Sequence, residues 1–170
     1  ISSPYGADVA TKLMFAVILF VATAMVVGCD DYKAPASLRS AFYDRYPTAV
    51  DVEWEKKRGY QVAEFHIPGQ HGDCEAWYRS GEWVMTKYDI AYSELPQVVR
   101  TAFESSYGAQ APVDDVERLD RNNASTLYFI ETEVVINGLL TDIDLDYDED
   151  GTLLRETVDV FDYDNIYYYI

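Results

Sequence analysis

Cysteine and histidine are scarce in this sequence, with two of each in 170 residues. Cys29 closes a long apolar run, which leaves Cys74 without a partner for an internal disulfide. Cys74 lies in an alternating stretch and reads as a small core hydrophobe. His66 and His71 flank the Pro68-Gly69 turn, with Glu64 and Asp73 nearby in sequence. A hydrolytic metal centre uses three protein ligands and an open position, and the alternation supplies no third ligand. Ser105-Ser106 has no recognisable general base, and Cys74 beside either histidine would lack an oxyanion site. No glycine-rich phosphate loop is present. Basic residues are also few: the net charge is -17 and the isoelectric point about 4.2. Such a field opposes nucleic acid and anionic membrane surfaces. The excess is uneven, since residues 36–92 carry nine acidic and seven basic side chains and residues 93–170 carry eighteen and four.

The one long hydrophobic run, residues 13–28, is uncharged. As a helix its sixteen residues would rise about 24 Å, short of a hydrocarbon core of about 30 Å, so an export signal fits better than a permanent span. Val26-Val27-Gly28-Cys29 resembles the bacterial lipobox, which implies that Cys29 is diacylated and begins the mature chain. Two acyl chains give firm anchoring. Asp30-Asp31 resembles the surface-export signal of lipoproteins in the Bacteroides group. The expected address is the cell envelope, held by the lipid anchor alone, at the periplasmic face or the cell surface.

From residue 35 onward the patterning alternates between helix and strand. Leu38, Ala41, Phe42 and Tyr46 form a helical stripe after Pro35. Val52 and Trp54 mark a strand. Ala63, Phe65 and Ile67, then Cys74, Ala76 and Tyr78, keep a period of two, and Glu82 to Tyr88 follows the Ser80-Gly81 turn. Pro96, Val99, Ala102, Phe103 and Tyr107 repeat the helical positions at a constant offset of 61 residues. Val113, Val116 and Leu119 then open a second set of strands. Leu127 and Phe129 alternate with Tyr128 and Ile130, and Asn137-Gly138 signals a tight hairpin. Ile143, Leu145 and Tyr147 lie opposite Asp142, Asp144, Asp146 and Asp148. Thr152 to Val158 is the last strand before a tyrosine-rich tail. This order predicts an α+β fold, a tandem repeat of a helical segment plus a four-stranded antiparallel sheet, with the two sheets abutting near residues 89–95 and able to run on as one. The boundaries are a signal segment at 1–29, a tether at 30–34, copies at 35–92 and 93–158, and a strand or tail at 159–170.

Two sites follow from local pattern. Asp146, Asp148 and Asp150 with Gly151 match the first six positions of a calcium loop, but Thr157 stands where that loop needs a bidentate glutamate. The segment therefore reads as a hairpin turn, with calcium as the alternative and no other cofactor implied. Trp77, Tyr78, Trp83 and Tyr88 form an aromatic band. Core packing accounts for much of it. Trp77 is out of phase with Cys74, Ala76 and Tyr78, so one ring faces away from the side those three share, and exposed tryptophan and tyrosine anchor interfaces.

Tyr46-Pro47, Trp54-Glu55, Gly59-Tyr60, Ala76-Trp77-Tyr78, Gly81-Glu82-Trp83, Glu94-Leu95-Pro96, Ala102-Phe103 and Asp150-Gly151 together resemble the PepSY-like, beta-lactamase-inhibitor-like periplasmic proteins of Bacteroidetes. The likeness covers about residues 35–158. It implies a helical cover on a four-stranded antiparallel sheet, repeated in tandem. The family's namesake inhibitor binds an enzyme on a concave sheet surface. The second half departs from the pattern, with Gly108 where the first has Pro47 and no tryptophan. The expected function is non-catalytic recognition of a protein or peptide outside the cytoplasm. Inhibition of a secreted peptidase or beta-lactamase is one alternative, and binding of a glycan or envelope polymer through Trp77 or Trp83 is another.

Overall fold

The computed structural model describes residues 32–158 and Tyr169. The expectations for the signal segment and Cys29, and for most of the tail, lie outside the described residues. Pro35 and Pro96 start the two helices, α1 (Ala36–Arg45) and α2 (Gln97–Tyr107). Each proline is the N-cap, and its carbonyl accepts the first helical bond, from Arg39 N at 3.0 Å and Arg100 N at 3.1 Å. Leu38 and Phe42 on α1, and Val99 and Phe103 on α2, are buried. Helices this short are marginal alone in water, so the sheet beneath them supplies their stability. No helix among the described residues is long and apolar enough to cross a membrane.

The strands are β1 (Val50–Lys57), β2 (Tyr60–His66), β3 (Cys74–Arg79), β4 (Glu82–Asp89), β5 (Val113–Arg121), β6 (Ala124–Ile136), β7 (Leu139–Asp148) and β8 (Leu153–Val158). They form one eight-stranded sheet in sequence order, and every neighbouring pair is antiparallel. This corrects the expected fold class. The chain is not a tandem repeat of a helix plus a four-stranded sheet, but a single sheet carrying two short helices. The physical reason is at the seam. A β4 edge left open would expose a row of unpaired backbone groups. Instead β4 pairs with β5 from Met85↔Arg121 to Asp89↔Glu117, and Ile90 N continues the contact to Val116 O at 2.9 Å. The sheet thus runs on as one across the β4–β5 seam.

Alternation along this sheet gives it two apolar faces. On one, α1 and α2 share a continuous core with Phe65, Ala76, Tyr78, Ile130, Leu145 and Tyr147. On the other, Tyr60, Val62, Trp77, Met85, Leu119, Leu127 and Phe129 form a second buried cluster. Tyr169 packs there, its ring 5.7 Å from that of Phe129 and its hydroxyl donating to Asp146.

Candidate functional site

The two central strands of the second half outrun their neighbours. Among the described residues, β6 and β7 stay paired out to Ile136↔Leu139, whereas the β5–β6 register ends at Thr132 and the β7–β8 register at Ile143. Among the described residues, 133–142 therefore form a two-stranded ribbon beyond the ends of β5 and β8. Asn137 (φ 53°) and Gly138 (φ 81°) close it, and both positive φ values suit the twist of a two-residue hairpin turn. Its root is fastened by Val134, which packs against the main core. Its tip carries Val135, Ile136, Leu139 and Leu140, exposed by 70, 41, 71 and 63%. Scattered single apolar residues on a surface are ordinary, whereas these four form one local apolar patch.

Behind the tip the charge is negative. Glu133 and Asp142 are directly opposed across the ribbon. With Asp114 on β5 they form a group whose carboxylate oxygens lie within 4.8 Å of one another. Like charges so paired cost about 0.2–1 kcal/mol per pair. Glu131, one row further in and opposite Asp144, has its carboxyl held above the usual range by partial burial and then by Asp144 and Asp115.

Three of the four rings in the aromatic band, Trp77, Tyr78 and Tyr88, are buried. Trp77 does face away from Cys74, Ala76 and Tyr78, but the face it joins is the second apolar cluster, where it is fully buried. Its indole N–H donates to Glu75 Oε2 at 3.1 Å. Tyr78 and Tyr88 are buried on the helix side, and burial pushes the Tyr78 phenol up to about 12. The Arg118 guanidinium lies 4.3 Å from the centre of the Tyr88 ring. Trp83 is half-buried. Its N–H donates to Thr86 Oγ1 at 2.8 Å, and Arg45 sits 3.8 Å above its ring. The expectation assumed one wet face, and this sheet buries side chains on both.

The calcium candidates form a hairpin turn. Asp146 is fully buried and accepts from Arg155 Nε at 2.7 Å and Nη2 at 3.2 Å. Asp148 Oδ1 accepts the backbone N–H groups of Asp150 at 3.0 Å and Thr152 at 2.8 Å, and the Thr152 contact leads in holding its carboxyl below the ordinary value. Asp150 is exposed. Gly151 (φ 80°) closes the turn against α2, where a Cβ would lie 2.8 Å from Val98 O. His66 Nδ1 pairs with Asp73 Oδ1 at 2.7 Å, with both side chains half exposed. Neither histidine joins a convergent set of ligands among the described residues.

Residues 60–155 match the family described as "Putative beta-lactamase-inhibitor-like, PepSY-like". The chain belongs to this family. A BLIP-like protein from Bacteroides fragilis has a similar structure, with 32% identity, a TM-score of 0.65, and coverage of 79% of this chain and 92% of that one. A DUF2874 family protein from Bacteroides ovatus is similar at 26% identity and TM-score 0.70, covering 82% and 99%. A "putative periplasmic" protein from Bacteroides eggerthii is similar at 25% and 0.68, covering 80% and 96%. No curated protein matches the chain. The PepSY-like match runs from β2 into the start of β8 and so includes the β6–β7 hairpin. Sequence reading located its Asn137-Gly138 turn but missed its exposure. The available signal was Val134-Val135-Ile136 facing Leu139-Leu140, where alternation lapses on both arms at once.

Proposed function

We propose that this PepSY-like protein is a non-catalytic binding protein of the bacterial envelope that grips another protein or peptide with its β6–β7 hairpin. The observation that carries the reading is the exposed tip, Val135, Ile136, Leu139 and Leu140, on a ribbon that reaches past the described parts of β5 and β8. The periplasmic designation of the B. eggerthii neighbour supports an envelope address, and Cys29 is the proposed lipid anchor. Inhibition of an enzyme is the second reading, favoured by the BLIP-like neighbour from B. fragilis. A glycan platform loses its support because Trp77 is buried and Trp83 lies beneath Arg45.

The test is binding by the full chain beside Val135→Ser/Leu139→Ser, measured against envelope proteins fractionated by activity and by mass. Loss of a protein ligand in the variant, with an unchanged circular dichroism spectrum, supports the proposal. An enzyme activity suppressed by wild type alone makes it an inhibitor. Unaltered binding by the variant refutes the hairpin reading. Intact mass of membrane-extracted protein tests Cys29: a diacylated Cys29 at the N-terminus is expected, and an unmodified chain retaining residues 1–28 would defeat it.

A further inference from the structure

We infer that the hairpin's partner is a protein with a narrow apolar cleft rimmed by lysine or arginine. This rests on the binding reading above and specifies what lies on the other side. Two independent features of the ribbon carry it. The tip is apolar on both arms, with Val135 and Leu140 opposed in the register and Ile136 opposed to Leu139. Burying those four side chains requires a cavity that admits two strands rather than a flat surface. The base is acidic, with the carboxylates of Asp114, Glu133 and Asp142 drawn together. Three residue steps separate Glu133 from Ile136, and at about 3.4 Å per residue the carboxylates sit roughly 10 Å behind the end of the strand. Cations are therefore expected at the mouth of the cleft and apolar groups at its floor. Rim charges of this kind act on encounter rate and on partner choice more than on final affinity.

The other occupants fit less well. A second copy would bring the same carboxylates and another net charge of -17 to the contact. A bilayer would meet the acidic base with anionic headgroups. It would also strand in hydrocarbon the backbone N–H and C=O groups of the ribbon edges that have no strand partner among the described residues, where each unsatisfied group costs several kcal/mol. A protein cleft can supply hydrogen bonds to those edges and positive charge to the base.

The experiment places the photo-crosslinker p-benzoylphenylalanine at Leu139 in the full chain within its own envelope and maps the adduct by mass spectrometry. The same probe is installed in Asp114→Asn/Glu133→Gln/Asp142→Asn and in Val135→Ser/Leu140→Ser backgrounds. An adduct is expected with a different protein, on an apolar segment neighboured by lysine or arginine. Its yield should fall about tenfold at short irradiation in the charge-neutralised chain and in about 0.5 M NaCl, where the screening length shrinks to a few ångströms. It should be lost in the serine variant. A protein adduct indifferent to charge and salt overturns the basic rim and leaves the binding reading standing. Adducts with lipid alone, adducts with a second copy alone, or no adduct overturn both.

Discussion

Replacing Asp146 with asparagine separates a structural carboxylate from a calcium ligand. Asp146 is the buried charged side chain of the described residues. Its carboxylate meets Arg155 through two nitrogens, at 2.7 and 3.2 Å, and accepts from Tyr169. Breaking one side of a buried ion pair costs about 3–5 kcal/mol. The Arg155 side chain keeps 20% of its exposure, so water can rehydrate part of its charge. Asparagine also retains an acceptor for the guanidinium. These two effects bring the expected loss to about 2–3 kcal/mol, or roughly 6–10 °C in Tm for a domain of this size. Thermal unfolding followed by circular dichroism on the full chain is the assay, with Arg155→Met and Asp146→Leu/Arg155→Met beside it. The double replacement should recover most of the loss, because it removes both desolvated charges together. Each protein is melted with and without calcium at about a millimolar. A ligand held only by the native state would raise wild-type Tm by mass action, whereas an Asp146 committed to Arg155 predicts no rise. A loss below about 2 °C for Asp146→Asn, with no recovery in the double variant, would refute the ion-pair argument. A calcium-dependent rise present in wild type and absent in Asp146→Asn would reinstate the calcium loop.

Trp77→Ala should cost about 3–5 kcal/mol in urea denaturation, as expected of a large core side chain, while Val135→Ser/Leu139→Ser should stay within about 0.5 kcal/mol of wild type; a stable Trp77→Ala would return that ring to the surface. Cys74 is buried, and burial followed by the nearby Asp89 pushes its thiol up to about 12, so peptide mapping should find it unalkylated in the native protein at about pH 8 and fully alkylated in urea; rapid native alkylation would contradict its placement. Acidification should first stabilise the protein. The Glu64 and Glu131 carboxyls are held above their unfolded value of 4.5, chiefly by burial, so the folded state binds extra protons in the window from there upward, and stability falls as pH rises through it. Asp148 works in reverse: its lowered carboxyl contributes stability above its unfolded value of 3.8, lost as pH falls below that. Scanning fluorimetry should therefore show Tm rising as the pH is lowered toward the unfolded glutamate value of 4.5 and declining only below the unfolded aspartate value of 3.8, and a continuous fall on acidification toward 4.5 would refute this assignment.

Much of the local structure was legible because it rests on short-range geometry. Pro35 and Pro96 start helices since a missing N–H costs nothing there. Leu38 and Phe42, and Val99 and Phe103, share a helical face by their spacing of four. Ile143, Leu145 and Tyr147 fall opposite their aspartates because successive strand side chains alternate. The Asn137-Gly138 turn needs only residues tolerant of positive φ. The site was less legible. Trp77 has the same phase on a wet face as on a second core, and only the neighbours Val62, Met85 and Leu119, from three other strands, decide between them. Asp146 looks like any acid in an acidic stretch until Arg155 is paired beside it.

The sequence by itself determined the elements, their order, their turns and the side of each strand on which its apolar residues fall, because each depends on residues within a few positions of one another. Tertiary structure decided that β4 would pair with β5 in one sheet, that both faces of that sheet would bury side chains, and that β6 and β7 would outreach the described parts of β5 and β8. Those outcomes depend on strand lengths and registers set between segments distant in the chain. A one-residue change of register reverses every side chain on a strand, so whether Leu139 meets solvent or a neighbour is a property of the assembled sheet.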